Sequence, residues 1–322
     1  MLTTLQVREQ LIALNDANAA CIQVIEQATF VICLDDGKPI TPSERIRKAY
    51  LGDGFNRWND KGLQFIIHEN GSSGYQVEHS MIDGLTVHRM NERIHDAIRA
   101  HIPSSADANA NDTSAPALDE YTLTTTPSID AHIQTVRESH LALTSAREYS
   151  YLTLNHFGKT FLATHGSPIK SIFDVTIQLA SRFYFGHNPA SWEPMSMAHF
   201  HKGRTEIFQG VLPSVSEFCS SATNTDLPAV QRREMLIRAA NDYTAGLQNS
   251  GKGNNYFRLM TVLEGMWPAG EELAPLFKDP VWLRTYPRFI MSGLTDGGSA
   301  DSAFALIDPE GVWICYSIGE EE

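Results

Sequence analysis

Hydrophobic positions recur along this chain in two rhythms, one helical and one extended. In the first 28 residues Leu11 and Leu14 share a helical face, and Ala17, Ala20, Val24 and Ile25 resume it after the polar pair Asn15 and Asp16. That spacing predicts two helices with a cap between them. FVICLD (30–35) and LQFII (63–67) are apolar runs that predict buried strands; the second stops at the turn signal ENGSSG, after which GYQVEH is extended again. Asp83 then stands where an N-cap is needed, ahead of a helix whose Leu85, Met90, Ile94 and Ile98 face a core. Helical periodicity returns near 129–147, 171–185, 228–247 and 254–266, with extended pieces at YSYLTLN, HFHKGRTEI, RFIMSG and GVWICYSI. Strands alternating with helices in both halves predict α/β layers.

Between about 102 and 119 the pattern lapses into IPSSADANANDTSAPALD, rich in Ser, Ala, Asn, Asp and Pro without a period. This is the expected boundary or mobile loop, dividing a first domain (1–118) from a second (119–322). At 322 residues and 42% hydrophobic the chain can bury substantial cores. A formal net charge of −13, with no long basic run, argues against nucleic acid as a partner. The cysteines Cys21, Cys33, Cys219 and Cys315 are too widely spaced for a zinc motif or a disulfide framework, which fits a reducing compartment. No apolar run approaches the roughly 18 residues of a membrane helix, and neither terminus carries a recognisable address. The expectation is an intracellular protein, cytoplasmic or organellar, without a transmembrane segment.

The stretch GYQVEHSMIDG (74–84) carries the candidate chemistry. His79 sits at the end of an extended segment, where its strand can be buried while the imidazole stays accessible. A lone histidine is more often structural than catalytic. Asp83, one helical turn on, reads as the residue that ties the turn down and caps the helix rather than as a triad member. A metal hydrolase built on His79, His199, His201 and Asp83 would be another class of reading, but nothing resembling HExxH is present.

Several motifs stand in order along the chain: NRWNDKGLQ (56–64), EHSMIDG (78–84), FGK (157–159), GRTE (203–206), FRLMTVL (257–263) and PEGVWICY (309–316). In sequence and spacing they resemble the choline and carnitine O-acyltransferases, and the register between motifs makes the resemblance specific. The resemblance implies two-layer α/β sandwiches of the chloramphenicol acetyltransferase type, with the first domain incomplete. It implies acyl transfer between coenzyme A, a co-substrate rather than a bound cofactor, and the hydroxyl of carnitine or a related small alcohol. His79 would be the general base; neutral imidazole, with a reference pKa of about 6.5, can take the alcohol or thiol proton. No acyl-enzyme is implied, and the chain has no GxSxG elbow.

The same resemblance assigns Lys159 to the coenzyme A phosphates, Trp192, Thr205, Arg258 and Phe304 to the alcohol substrate, and Ser292 with the nearby hydroxyl of Thr295 to the oxyanion. Arg258 favours carnitine over choline, because a guanidinium suits a carboxylate that choline lacks. Alone, Arg258 would read as a solvated helix charge and Lys159 as a surface lysine. The chain also departs from the pattern. Ala163 replaces a second lysine, a contact of about 1 kcal/mol when exposed. Trp192 replaces a tyrosine, Ile207 a threonine, and Ser292-Gly293-Leu294 replaces S-T-S; loss of one oxyanion donor typically costs about 10² to 10³ in rate. The chain matches the C-terminal half of the family's length, so a partner or an N-terminal half is expected over exposed core. These departures motivate a second reading, a truncated non-catalytic remnant that binds coenzyme A or a protein.

Overall fold

In a computed structural model, the described residues are 4–52, 54–80, 82–101, 118–155, 158–166, 168–286, 289–294, 303 and 310–320. They form two compact units, Met1–Leu152 and Thr153–Glu322.

The first unit opens with α1 (Thr4–Leu14) and α2 (Asp16–Gln27), and Asn15 caps α2 by accepting the Asn18 amide at 2.8 Å. After β1 (Val31–Asp35) comes α3 (Pro42–Leu51), followed by β2 (Leu63–His68), β3 (Ser73–Val77), α4 (Gly84–His101) and α5 (Pro127–Ser145). The hydrophobic pattern does not announce α3, but its start is strongly specified. Thr41 and Glu44 form a reciprocal capping box, with Pro42 in the first turn. The strands make a mixed sheet in the order β1-β2-β3, with β1 parallel and β3 antiparallel to β2. Ile66, on the central strand, is fully buried. On the end strand β1, Ile32 and Leu34 are 54% and 74% exposed. On α4, Leu85, Met90 and Ile94 are partly buried but Ile98 is exposed, so the expected core face stops short of the last turns.

The loop predicted over 102–119 lies outside the described residues except at its end. The chain beyond it is tied to the first unit by Asn18, which is wholly buried. Its amide donates to the Leu11 and Thr124 carbonyls (2.9 and 2.8 Å), and its oxygen accepts the Thr124 amide at 2.8 Å. His140 on α5 also meets the Leu51 carbonyl at 3.3 Å. The compact units therefore divide near residue 152, later than the composition shift.

The second unit contains α6 (Lys159–Thr164), α7 (Ile169–Phe185), β4 (Ser191–Ser196), β5 (Thr205–Gln209), α8 (Pro213–Ser221), α9 (Ala229–Gly251) and α10 (Phe257–Gly265). Two single-turn helices, α11 (Pro275–Lys278) and α12 (Pro280–Leu283), precede β6 (Phe289–Leu294) and β7 (Val312–Ser317). Gly186 ends α7 in the left-handed conformation, at φ 77°. The sheet order is β5-β4-β6-β7, antiparallel between β4 and β5 and parallel elsewhere. Strand β4 contains Pro194, yet β6 pairs with β4 only at Ser191 and Trp192, so the proline falls where β4 has a single partner. Val175 of α7, Phe208 of β5, Val215 of α8, Tyr243 of α9 and Met291 of β6 share one core cluster. Thus α7, α8 and α9 pack their apolar faces against the sheet. The segment YSYLTLN, predicted to be extended, joins no sheet among the described residues.

Candidate active site

The motif NRWNDKGLQ builds the support from which His79 projects. Arg57 makes a bidentate pair with Asp35 at the end of β1, Nη1 to Oδ1 at 2.9 Å and Nη2 to Oδ2 at 2.8 Å. Asn56 adds a bond to the same carboxylate at 2.8 Å. Burial opposes the charge on Asp35, but the Arg57 hydrogen bonds outweigh it and hold the carboxyl below its usual range. Lys61, itself buried, donates to the Glu26 and Ala28 carbonyls at 3.0 and 2.6 Å and so satisfies the end of α2. Gln64 accepts the Trp58 amide at 2.7 Å and donates to Gln76 on β3 at 3.1 Å. In this structure these side chains fasten β1, β2 and β3 to one another.

Strand β3 then delivers EHSMIDG. The Glu78 amide still pairs with the Gly62 carbonyl at 3.3 Å, and the ladder ends there. The Glu78 carboxylate accepts the Ser80 hydroxyl at 2.6 Å and the Ser80 amide at 3.1 Å, which lowers its pKa. His79 occupies the bend between β3 and α4 with its side chain 54% exposed, and its Nδ1 lies 3.8 Å from Asp83 Oδ1. That separation is too long for a hydrogen bond. The Asp83 carbonyl accepts the amides of Thr86 and Val87, so this residue is the first acceptor of α4.

In the second unit, Thr205 and Arg258 come together. Thr205 opens β5, Arg258 lies in the first turn of α10, and Arg258 Nη2 donates to Thr205 Oγ1 at 2.7 Å. Glu206 fixes this arrangement by accepting the amides of Ile207 and Arg258 at 2.7 and 3.3 Å. Trp192 faces a different environment: its ring packs edge-on against Phe257, 4.9 Å between centroids, and its Nε1 donates to the Thr285 carbonyl at 2.9 Å. The only indole donor is therefore committed to the backbone. Ile207 is buried in the same cluster, with Phe257, Phe277 and Trp282.

Lys159 is the first residue of α6; its amide bonds the Gly319 carbonyl at 2.9 Å, and its Nζ lies 3.7 Å from Glu320. Ala163 belongs to the same short helix. Ser292 is in β6, paired with Cys315. Thr295 and Phe304 lie outside the described residues. His199 bonds the Gly251 carbonyl at 2.8 Å. Among the described residues, no three His, Cys, Asp or Glu side chains converge as a metal ion would require.

Sequence reasoning missed a buried charge network in this unit. Lys170 and Asp174, one turn apart on α7, pair at 2.9 Å; Lys170 also pairs with Glu193 of β4, and Asp174 accepts the Tyr316 hydroxyl from β7. Tyr243 of α9 donates to Glu193 at 2.8 Å. Burial, and then the neighbouring Glu193, push Asp174 up to about 7. Burial works against charge on Lys170, but Glu193 and Asp174 outweigh it and raise its pKa. The Tyr243 phenol is raised well above its ordinary range, first by burial and then by Glu193.

The chain belongs to the choline/carnitine O-acyltransferase family, whose sequence model matches residues 3–322. A highly reducing polyketide synthase of Aspergillus luteorubrus is 44% identical over 98% of this chain, which corresponds to 10% of that protein. Mitochondrial carnitine O-acetyltransferase of Saccharomyces cerevisiae is 30% identical over 93% of this chain and 46% of its own length. Bovine mitochondrial carnitine O-palmitoyltransferase 2 is 24% identical over 97% of this chain and 48% of its own length. The chain thus spans a small fraction of the synthase and just under half of these carnitine enzymes. No helix among the described residues is long and apolar enough to cross a membrane.

Proposed function

We propose that this chain transfers an acyl group from a thioester, coenzyme A in the simplest case, to the hydroxyl of carnitine or a related small alcohol, with His79 as general base. The observation that carries the proposal is the family match over 3–322 together with an exposed His79 at the strand-to-helix bend. In this reading Nε2 of His79 is the basic nitrogen. The base takes the acceptor's hydroxyl proton as the oxygen attacks the thioester carbonyl. The new C–O bond forms, the C–S bond breaks, and the proton passes to the departing thiolate, so the imidazole ends as it began. No acyl-enzyme forms.

In this reading Thr205 and Arg258 hold the acceptor, with Trp192 as an apolar wall and Phe304 as the aromatic neighbour. Ser292 and Thr295 serve the oxyanion, and Lys159 the coenzyme A phosphates. In this reading the fold is the two-layer sandwich of the chloramphenicol acetyltransferase type, with the domain boundary at the composition shift (1–118 and 119–322) rather than at the division of the compact units near residue 152. The cover expected over exposed core falls on β1, where Ile32 and Leu34 face solvent.

Thiol release from acetyl- or octanoyl-CoA in the presence of carnitine tests the proposal. His79→Ala should lower turnover by about 10² to 10⁴, and unchanged turnover would refute the base. The 44% identity to a polyketide synthase favours a second reading of the donor, a polyketide thioester in place of an acyl-CoA. Faster transfer from long-chain model thioesters than from acetyl-CoA would select it. Calorimetric binding of acyl-CoA without transfer to any alcohol would instead support the non-catalytic remnant.

A further inference from the structure

Where the family pattern has a threonine between two serines, this chain has Gly293, and the structure shows what the missing side chain permits. Gly293 of β6 is paired with Tyr316 of β7. A Cβ built on Gly293 would overlap the Tyr316 ring. The phenol lies across β6 at that point and reaches the Asp174 carboxylate on α7, with Lys170 Nζ 3.3 Å from its hydroxyl and the Phe173 ring tilted against its own, 4.7 Å between centroids. A glycine within a strand commonly marks such a close approach. Asp174 and Tyr243 are fully buried and Glu193 nearly so, so removing any one partner leaves another unsatisfied. The charged and titratable groups facing the phenol are Lys170 and Asp174 from α7, Glu193 from β4 and Tyr243 from α9.

We infer that Gly293 and Tyr316 are positioning residues: the phenol, passing over the glycine, clamps β6 between β4 and β7, and β6 is the strand that carries Ser292. The inference rests on the transferase reading for its catalytic consequence, but the clamp stands apart from it. It also gives the Ser-Gly-Leu departure a physical role. The glycine exchanges a side chain on β6 for a bond that runs from β7 across β6 to Asp174 of α7.

The test uses Tyr316→Phe, which keeps the ring and deletes the hydroxyl. Amide hydrogen exchange at 289–294 should rise about tenfold or more, while exchange in α5 of the first unit stays the same. Turnover should show lower kcat with KM for the acceptor unchanged. Unchanged exchange at 289–294 overturns the clamp, and a change in KM alone overturns the positioning of β6. A cycle of Gly293→Ala, Tyr316→Ala and their combination guards against a variant that fails to fold. The cost of Gly293→Ala should largely vanish once Tyr316 is truncated, and simple additivity would contradict the overlap. If the unmodified protein transfers no acyl group, the transferase reading fails, and exchange with the cycle still decides the clamp.

Discussion

Removing Arg57 is expected to be one of the most damaging single changes in the first unit. The guanidinium is 2% exposed and its Asp35 partner 12%, and two parallel hydrogen bonds of 2.9 and 2.8 Å join them. A third bond runs from Nη2 to the Lys48 carbonyl at 2.9 Å. In Arg57→Ala the Asp35 carboxylate stays buried with Asn56 and the more distant His68, 4.0 Å away, as its remaining polar neighbours. Breaking a buried pair from one side typically costs about 3 to 5 kcal/mol, because the desolvated charge loses its compensation. Replacing both ends, Asp35→Leu with Arg57→Met, should cost far less, because no orphan charge remains. The pH dependence has a definite sign. The pKa of Asp35 is depressed in the folded state, so its contribution is present above the unfolded value and is lost as pH falls. The gap between wild type and Arg57→Ala should accordingly narrow on acidification. Urea unfolding across pH, with amide exchange in β2 to localise the effect, measures both. A cost under about 1 kcal/mol, or a double variant as unstable as the two single losses together, would refute the assignment of the NRW motif to structure.

Two further predictions concern other buried groups. The pKa of Asp174 is raised from 3.8 to about 7, so the folded state binds the extra proton and its contribution to stability falls as pH rises from about 4 to about 7. Relative to Asp174→Asn, the protein should lose up to about 4 kcal/mol over that window, at 1.36 kcal/mol per unit. A flat difference would show that Asp174 is ionised throughout. Asn18→Ala removes two hydrogen bonds that tie Thr124 to the corner of α1 and α2, and a third to the Leu11 carbonyl. It should cost about 2 to 4 kcal/mol and speed proteolysis within 118–126, and equal cleavage rates would contradict the tie.

Much of this architecture is legible because it is local. The Asn15 cap, the runs that become β1 and β2, and the helical periodicity of α5, α7 and α9 all announce themselves within a few residues. What stays hidden depends on partners far along the chain. Strand β4 is obscured by Pro194 and by polar residues whose partners cannot be read locally; Glu193 is buried because Lys170 and Tyr243 meet it there. Tyr316 bonds Asp174 across 142 positions, and no periodicity reports such a pairing. Helix α3 carries few apolar residues and is specified by its capping box instead. At the candidate site, the motif order points to His79 and to the Thr205 and Arg258 pair, which the fold does bring together. That the NRW side chains hold strands in place was not readable, because Asp35 and Gln76 lie outside the motif. Nor does the sequence reveal that the Trp192 indole is occupied by the Thr285 carbonyl.

We propose that His79 moves the proton in a transfer between a thioester and a hydroxyl. The most direct test is single-turnover thiol release by wild type and His79→Ala at matched saturation with acyl-CoA and acceptor. Release should depend on the acceptor in wild type and fall by about 10² to 10⁴ in the variant, with acyl-CoA binding intact. Equal release by the two proteins, or release indifferent to the acceptor, would contradict it.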